Sequence, residues 1–263
     1  MQVSLKNFRN SIVMIEQVWG NSNQRVQQHV FSERYSEQDF SLHDSDQFHN
    51  SDYDSPPKNE FGFDFSHSTL GENNNLDSFL SSLKPSHSNT MFQFRDNAIN
   101  DNGFVKLCNF LKNDTTVKHL ILDQNQIIIS EFAKAAVMDM LKVNHYIGWL
   151  VLSGNAISNI GAGYLAEALK DNTSLKHLIL SDNDIGNEGI TSLLISLKDH
   201  PTLESLFISG NPFDEGVFPE LCTFISESRS LKRVDIRSLD LSASNLCHLL
   251  ALCQKHCVRL MYE

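Results

Sequence analysis

The chain has 263 residues, which is enough for one large domain or two small ones. Its hydrophobic fraction of 41% is low for a globular protein, and the first third of the chain is much more polar than the rest. The formal net charge of -11 and the lack of any Lys/Arg run argue against nucleic acid and anionic membranes as partners. No run of about twenty apolar residues occurs, so no membrane span is predicted.

The first nineteen residues carry a single apolar stripe. Apolar side chains recur there at intervals of three and four residues, namely Leu5, Phe8, Ile12, Ile15 and Trp19. This spacing predicts a short amphipathic helix over residues 1–19 that docks on its own domain or on a neighbouring one. A membrane-surface or targeting helix is the alternative, but Lys6 and Arg9 supply little positive charge for it.

Residues 20–60 differ in composition from the C-terminal two thirds of the chain. They are rich in Ser, Asn, Gln, Asp and His, include Pro56 and Pro57, and show no sustained periodicity. Such a segment buries too little apolar surface to offset its chain entropy, so it is predicted to be disordered or loosely packed. The five histidines between positions 29 and 87 lack the spacing of metal ligands, which argues against a metal site there.

From Asn89 onward the sequence repeats itself. Asn183 is surrounded at fixed offsets by Leu175, Leu178, Leu180 and Ile185. The same frame fits four further asparagines: Asn97, Asn125, Asn155 and Asn211. A sixth copy holds Leu239 at this position, and successive copies are separated by 28, 30, 28, 28 and 28 residues. A nearly fixed period of this length indicates a solenoid of stacked units.

The second half of each unit has helical spacing. A glycine follows the asparagine by six residues in three units, at Gly103, Gly161 and Gly189. Pairs of leucines four residues apart come next: Leu107 and Leu111, Leu165 and Leu169, and Leu193 and Leu197. Each unit is therefore predicted to be a short strand, a turn and a helix of about three turns whose apolar faces meet. The asparagine amide is predicted to hydrogen-bond backbone groups of the turn.

The pattern LxxLxLxxNxIxxxGxxxLxxxL, as in Leu175 to Leu197, resembles the ribonuclease-inhibitor type of leucine-rich repeat over residues 89–242. The resemblance implies an α/β solenoid, a right-handed horseshoe arc of about six repeats plus caps, with parallel strands on the concave face and helices outside. The 30-residue copy departs from the pattern. Glu131 stands at its glycine position, and the helical stripe comes two places later, at Ala133, Val137 and Leu141.

The two ends of the solenoid are predicted to be caps. Residues 61–88 form the N-terminal cap, with strand-like alternation at Phe61, Phe63 and Phe65. A helix ending before Pro85 follows, on the stripe Leu76, Phe79, Leu80 and Leu83. Residues 243–263 form the C-terminal cap, with a helix on Leu246, Leu249, Leu250 and Cys253 and a strand on Val258, Leu260 and Tyr262.

The five cysteines offer little chemistry. Their number is odd and no CxxC pair occurs, which favours a reducing compartment. Cys247, Cys253, His256 and Cys257 are candidate zinc ligands near the C-terminus, but three of these follow the helix and cap pattern. No nucleophile elbow, phosphate loop or paired-carboxylate motif appears. The sequence therefore predicts no enzyme, no cofactor and no metal.

The strand residues between the inward-facing leucines are predicted to form the concave surface, because side chains alternate along a strand. Its centre is apolar, with His119 and His177 beside Ile121, Trp149, Val151, Ile179 and Phe207. Its charged members are Arg95, Asp123, Arg233, Asp235 and Arg237. An exposed apolar patch around a tryptophan is typical of a binding hot spot, although β-propensity alone also favours such residues. The two histidines are either pH-sensitive elements or ordinary polar strand residues.

These features predict a non-catalytic module that binds another protein on its concave face. The resemblance implies that binding blocks the partner, and six units would grip one of its faces rather than enclose it. Short proteins of this repeat type also resemble the effectors that intracellular bacteria such as Legionella deliver into host cells, which implies a host protein or another effector as partner. A scaffold that localises whatever residues 1–90 bind is the alternative. The expected state is a monomer in the cytoplasm, or in a host cell after secretion.

Overall fold

The computed structural model describes residues 62–68, 70, 75–83 and 90–262. The helix predicted over residues 1–19 and the polar segment 20–60 lie outside these residues. The described ranges hold eight strands: β1 (Gly62–Asp64), β2 (Met91–Gln93), β3 (His119–Ile121), β4 (Trp149–Val151), β5 (His177–Ile179), β6 (Ser205–Phe207), β7 (Arg233–Asp235) and β8 (Arg259–Met261). They also hold seven α-helices: α1 (Asn75–Ser82), α2 (Asp101–Leu111), α3 (Glu131–Val143), α4 (Asn159–Leu169), α5 (Asn187–Leu197), α6 (Phe218–Glu227) and α7 (Ala243–His256).

The strands form one open sheet in chain order, and each strand pairs parallel to the next. Parallel neighbours require a long return connection, and a helix makes that return in every unit. In-register partners such as Leu150 and Leu178 lie one repeat apart in sequence. The prediction of an open α/β solenoid is confirmed, and β1 and β8 add a strand at each end of the six repeats.

A single apolar core runs the length of the solenoid between the sheet and the helices. The middle residues of the central strands, Leu120, Leu150, Leu178 and Leu206, are fully buried in it. The helical leucines predicted from the four-residue spacing are buried opposite them, as are Ala133, Val137 and Leu141 in the 30-residue repeat. Because one unit leaves its core open at both sides, stacking of neighbours closes it.

The repeated asparagines form a hydrogen-bonded ladder through the turns that follow the strands. The Asn183 amide nitrogen donates to the carbonyl oxygens of Leu180 in its own unit and Leu152 in the preceding one, both at 3.0 Å. Its side-chain oxygen accepts the N–H of Ile157 at 3.1 Å. Asn155 repeats this pattern one unit earlier. The predicted role of these side chains is confirmed, and they tie each turn to its neighbour as well.

A second polar row, which was not predicted from the sequence, lines the turns that lead from helices back to strands. Asn144 and Asn172 are buried there and donate to Leu111 O at 2.7 Å and Leu141 O at 2.6 Å. His200 is buried at the next position, where its Nδ1 accepts the Thr202 N–H at 3.4 Å and its Nε2 has no partner among the described residues. Burial lowers the pKa of His200 to about 4.

The 30-residue repeat accommodates its two extra residues in the turn before α3. Asp101 stabilises this turn, because its carboxylate accepts the N–H groups of Ile128, Ile129 and Ser130 at 2.9, 3.0 and 2.7 Å. Ile129 has a φ of 51°, a left-handed conformation that is costly for a β-branched residue. The Ile128 carbonyl then lies so close to Gly161 of α4 that any Cβ there would overlap it.

The caps contain the predicted strand and helix at each end, with one difference. In α7, Leu249 and Cys253 are buried as expected, but Leu250 is 37% exposed. Leu252 packs against the core instead. The expected role of Leu250 is wrong because α7 has a core on only one side, so a narrow stripe suffices.

We expect two glycines of α4 to respond in opposite directions to replacement by alanine. Gly161→Ala should lower the free energy of unfolding by about 2 kcal/mol or more, because the new methyl group meets backbone that cannot move aside. Gly163→Ala, where no atom lies within 4 Å of the added Cβ, should raise it by about 1 kcal/mol through helix propensity. Urea unfolding of both variants measures this, and equal effects would contradict the close approach of the Ile128 carbonyl to α4.

Replacing His200 with asparagine, the residue found at the other two positions of the second polar row, should stabilise the fold. His200→Asn places an amide where it can donate to the Leu169 carbonyl, as Asn172 does to Leu141. We expect a gain of about 1 kcal/mol in the free energy of unfolding near pH 7.

The gain should be larger near pH 5. The folded-state pKa of His200 lies below its ordinary value of 6.5, so the unfolded chain takes up more protons and wild type loses stability as pH falls between 6.5 and about 4. The exposed His145→Asn serves as control. A His200→Asn variant less stable than wild type at both pH values would refute the expectation.

Candidate protein-binding surface

The strand side of the sheet, opposite the helices, is the concave face. Neighbouring strands lie about 4.8 Å apart, whereas packed helices need about 8–10 Å, so a stack of strand–helix units bends toward its strands. The first and third residues of each strand project on this face. Two rows therefore cross it in register: His119, Trp149, His177, Ser205 and Arg233, and Ile121, Val151, Ile179, Phe207 and Asp235. The register predicted from the repeat frame is the one found.

Three aromatic rings pack together at the centre of the concave face. The Trp149 ring lies 5.5 Å from that of His119, nearly perpendicular to it, and 4.0 Å from that of His177 at an angle of 42°. Because the three strands are adjacent, each ring limits the rotamers of the next. The indole is therefore held in place before any partner arrives, which lowers the entropy lost on binding.

The apolar row is less exposed than the sequence predicted. Trp149, Ile121 and Val151 keep intermediate exposure. The predicted exposure is wrong for the remaining central residues and for Asp235, which are exposed by 8% or less: His119 4%, His177 8%, Ile179 1%, Phe207 3% and Asp235 0%. Stacking on Trp149 contributes to the burial of the two histidines. Toward β6 the concave face is thus a buried surface rather than an open one.

A hydrogen-bonded polar chain closes one end of the concave face. Ser209 Oγ lies 3.0 Å from both Ser181 Oγ and the Asp235 carboxylate. Arg237 binds that carboxylate with two groups, Nε and Nη2, at 3.0 and 2.8 Å. Nearby, Arg233 Nε donates to Ser205 Oγ at 3.2 Å. Asp235 is fully buried, but its partners satisfy its charge.

Ser181 and Ser209, which belong to this hydrogen-bonded network, were not among the predicted site residues. Serine occupies the same repeat position in three consecutive units, at Ser153, Ser181 and Ser209. That regular recurrence on the face opposite the core is a signal which the sequence carries, and it marks the polar border of the apolar row.

Arg95 and Asp123 form the opposite end. Arg95 Nε lies 3.4 Å from Asp123 Oδ2 and donates to Gln124 Oε1 at 3.0 Å. Burial raises the pKa of the Asp123 carboxyl, an effect that Arg95 opposes. The second oxygen, Oδ1, and the buried Ser153 Oγ have no partner among the described residues. Groups that can pair with a ligand therefore border the aromatic centre on this side as well.

The cysteine cluster near the C-terminus is dispersed in the structure. Cys253 is buried in the core, whereas Cys247 and Cys257 are exposed, and no described cysteine forms a disulfide. Within the described ranges, no group of three or more His, Cys, Asp or Glu side chains is arranged to hold a metal ion. No helix in the same ranges has the length and apolar character that crossing a bilayer requires.

A family model described as leucine-rich repeat matches residues 171–194, the unit that contains β5 and the start of α5. The same strand, asparagine turn and helix recur in the neighbouring units. The chain is an open α/β solenoid, and one of its units matches a leucine-rich repeat. No curated protein matches its sequence.

Two solved structures show what this solenoid is similar to. One is described as leiomodin-1 actin-binding site 2, with 16% sequence identity and a TM-score of 0.44 over 69% of this chain and 86% of that one. Another is an internalin from Listeria monocytogenes strain 4b F2365, with 18% identity and a TM-score of 0.40. That match covers 69% of this chain and 42% of the internalin.

Proposed function

We propose that the chain is a non-catalytic module that binds a protein through its concave face, centred on Trp149. The observation that carries this proposal is a sheet that is apolar on both sides, although the helices of the described residues pack against only one of them. Leu150 and Leu178 serve the core, whereas Trp149, Val151 and Ile179 project away from it. Large apolar groups on a face that the core does not use are typical of a binding surface.

The chemistry of the concave face favours an apolar ligand segment with charged flanks. An aromatic side chain between two imidazole rings offers stacking contacts, and Ile121 and Val151 extend the apolar area beside it. Arg233 at one end, beside the paired Arg237 and Asp235, favours acidic groups in the ligand and sets its direction. An amphipathic helix laid across the strands meets these requirements.

We also propose that binding inhibits the partner by covering a functional surface on it, as a shallow arc grips one face of a target. The ribonuclease-inhibitor type of repeat and a role as an effector delivered into a host cell belong to the same proposal, supported by the repeat pattern and by the Asn- and Ser-rich composition. Five cysteines without a disulfide favour a reducing compartment such as a cytoplasm.

Replacing Trp149 with Ala should weaken partner binding by about 2 kcal/mol, or roughly thirtyfold in Kd, because it removes the largest side chain at the centre of the surface. Affinity capture with the wild-type chain identifies the partner, and calorimetric titration then compares the variants. Ile195→Ala is the matched control, since Ile195 is 55% exposed on the helix side. Wild-type affinity in Trp149→Ala would refute the concave-face proposal.

A further inference from the structure

We propose that residues 1–19 of this chain occupy its own concave face as an intramolecular ligand that a partner must displace. The inference rests on the proposed function, because it assigns an occupant to the same surface. It makes the concave face a regulated site rather than a permanently open one. Four observations support it: the burial of the apolar row, the apolar stripe of residues 1–19, the length of the tether and the distribution of charge.

The burial of the apolar row calls for a covering layer. Side chains on one face of a strand stand roughly perpendicular to the sheet, and their neighbours on adjacent strands lie beside them rather than above them. A phenylalanine on an uncovered face therefore keeps part of its ring in water. Phe207 is only 3% exposed and Ile179 only 1%, although both project away from the core helices.

Residues 1–19 have the pattern and length that this surface requires. Their stripe places five large apolar side chains, from Leu5 to Trp19, on one side of a helix. A helix of this length is about 28 Å long. The eight strands span about 34 Å from the first to the last. One such helix thus covers the central strands, where the apolar row lies.

The intervening segment is long enough to allow this contact. Residues 20–61 separate the stripe from β1, which is the edge strand of the sheet. A chain of that length can span about 35 Å, which is the distance across the sheet. Tethering at this length gives an effective concentration of the order of millimolar, so even weak intrinsic affinity suffices for occupancy.

Charge complements the apolar contact. Residues 20–60 hold eight Asp or Glu and three Lys or Arg, a net charge of about -5. Arg233 and Arg237 line the far end of the concave face. An acidic tether that returns from this end toward β1 is attracted to Arg233, since the Arg237 guanidinium already pairs with Asp235.

Tryptophan fluorescence of the full chain tests this proposal. Trp19→Phe keeps an aromatic side chain in the stripe and leaves Trp149 as the single tryptophan. Adding Ile12→Asp and Ile15→Asp puts two carboxylates on the stripe and should release it. We expect the acrylamide quenching constant of Trp149 to rise about twofold on release.

The control adds the same charge on the opposite side of the helix, through Asn10→Asp and Gln17→Asp in the same Trp19→Phe background. Its quenching constant should equal that of the parent. Equal quenching in all three chains, or an equal rise in the control, would overturn the proposal. Thermal unfolding of each chain verifies that the solenoid is folded.

Photo-crosslinking locates the contact. A benzoylphenylalanine in place of Phe8 should link within one chain to peptides that contain β4, β5 or β6. Links to the outer helices, or covalent dimers that indicate a second copy as occupant, would overturn the proposal.

The experiments distinguish a failure of this proposal from a failure of the proposed function. If residues 1–19 lie elsewhere, quenching is the same in all chains while Trp149→Ala still weakens partner binding. If the concave face does not bind the partner, release of the stripe changes quenching but leaves partner affinity unchanged. When both proposals hold, the released chain binds its partner more tightly than wild type does, because no displacement is required.

Discussion

The hydrogen-bond requirement of buried turns sets the period of this protein. Each turn that leaves a strand carries backbone groups that cannot reach water, and the asparagine of its own unit and that of the next supply their partners. An asparagine meets these groups only when adjacent strands are in register. Each strand and the first residues of its turn therefore keep a fixed length, and length variation is confined to the parts of a unit that the asparagines do not contact. The ladder ends at Asn211, because Leu239 occupies the next asparagine position. The Phe213 N–H, which would bind that asparagine, donates to the backbone carbonyl of Asn211 instead.

The 30-residue unit shows how this constraint is met when the length changes. Both extra residues fall between the ladder asparagine Asn125 and the start of α3, so the register of β3 and β4 is unaffected. The accommodation is costly, since Ile129 has a positive φ and Gly161 of the next helix cannot carry a side chain. Asp101 of the preceding unit offsets part of this cost through three hydrogen bonds. One insertion thus fixes the residue type at positions in the units before and after it.

Features that repeat could be predicted from sequence, and features that depend on a single site could not. The register of Ile121, Val151, Ile179 and Phe207 follows from counting residues, because every unit obeys the same ladder. The burial of Phe207 does not follow, since it depends on what lies above the sheet rather than on the strand pattern. His200 was missed because a histidine interrupts the recurrence of Asn144 and Asn172, although all three occupy the same repeat position.

The apolar row has a further consequence for how the solenoid unfolds. Units of a stacked array contact only their immediate neighbours, so stability propagates along the chain through nearest-neighbour terms, and the ends can fray independently of the middle. A ligand that contacts Ile121 on β3 and Phe207 on β6 touches four units at once. It therefore couples the stability of units that share no contact of their own. With this ligand bound, the four units unfold together rather than one by one.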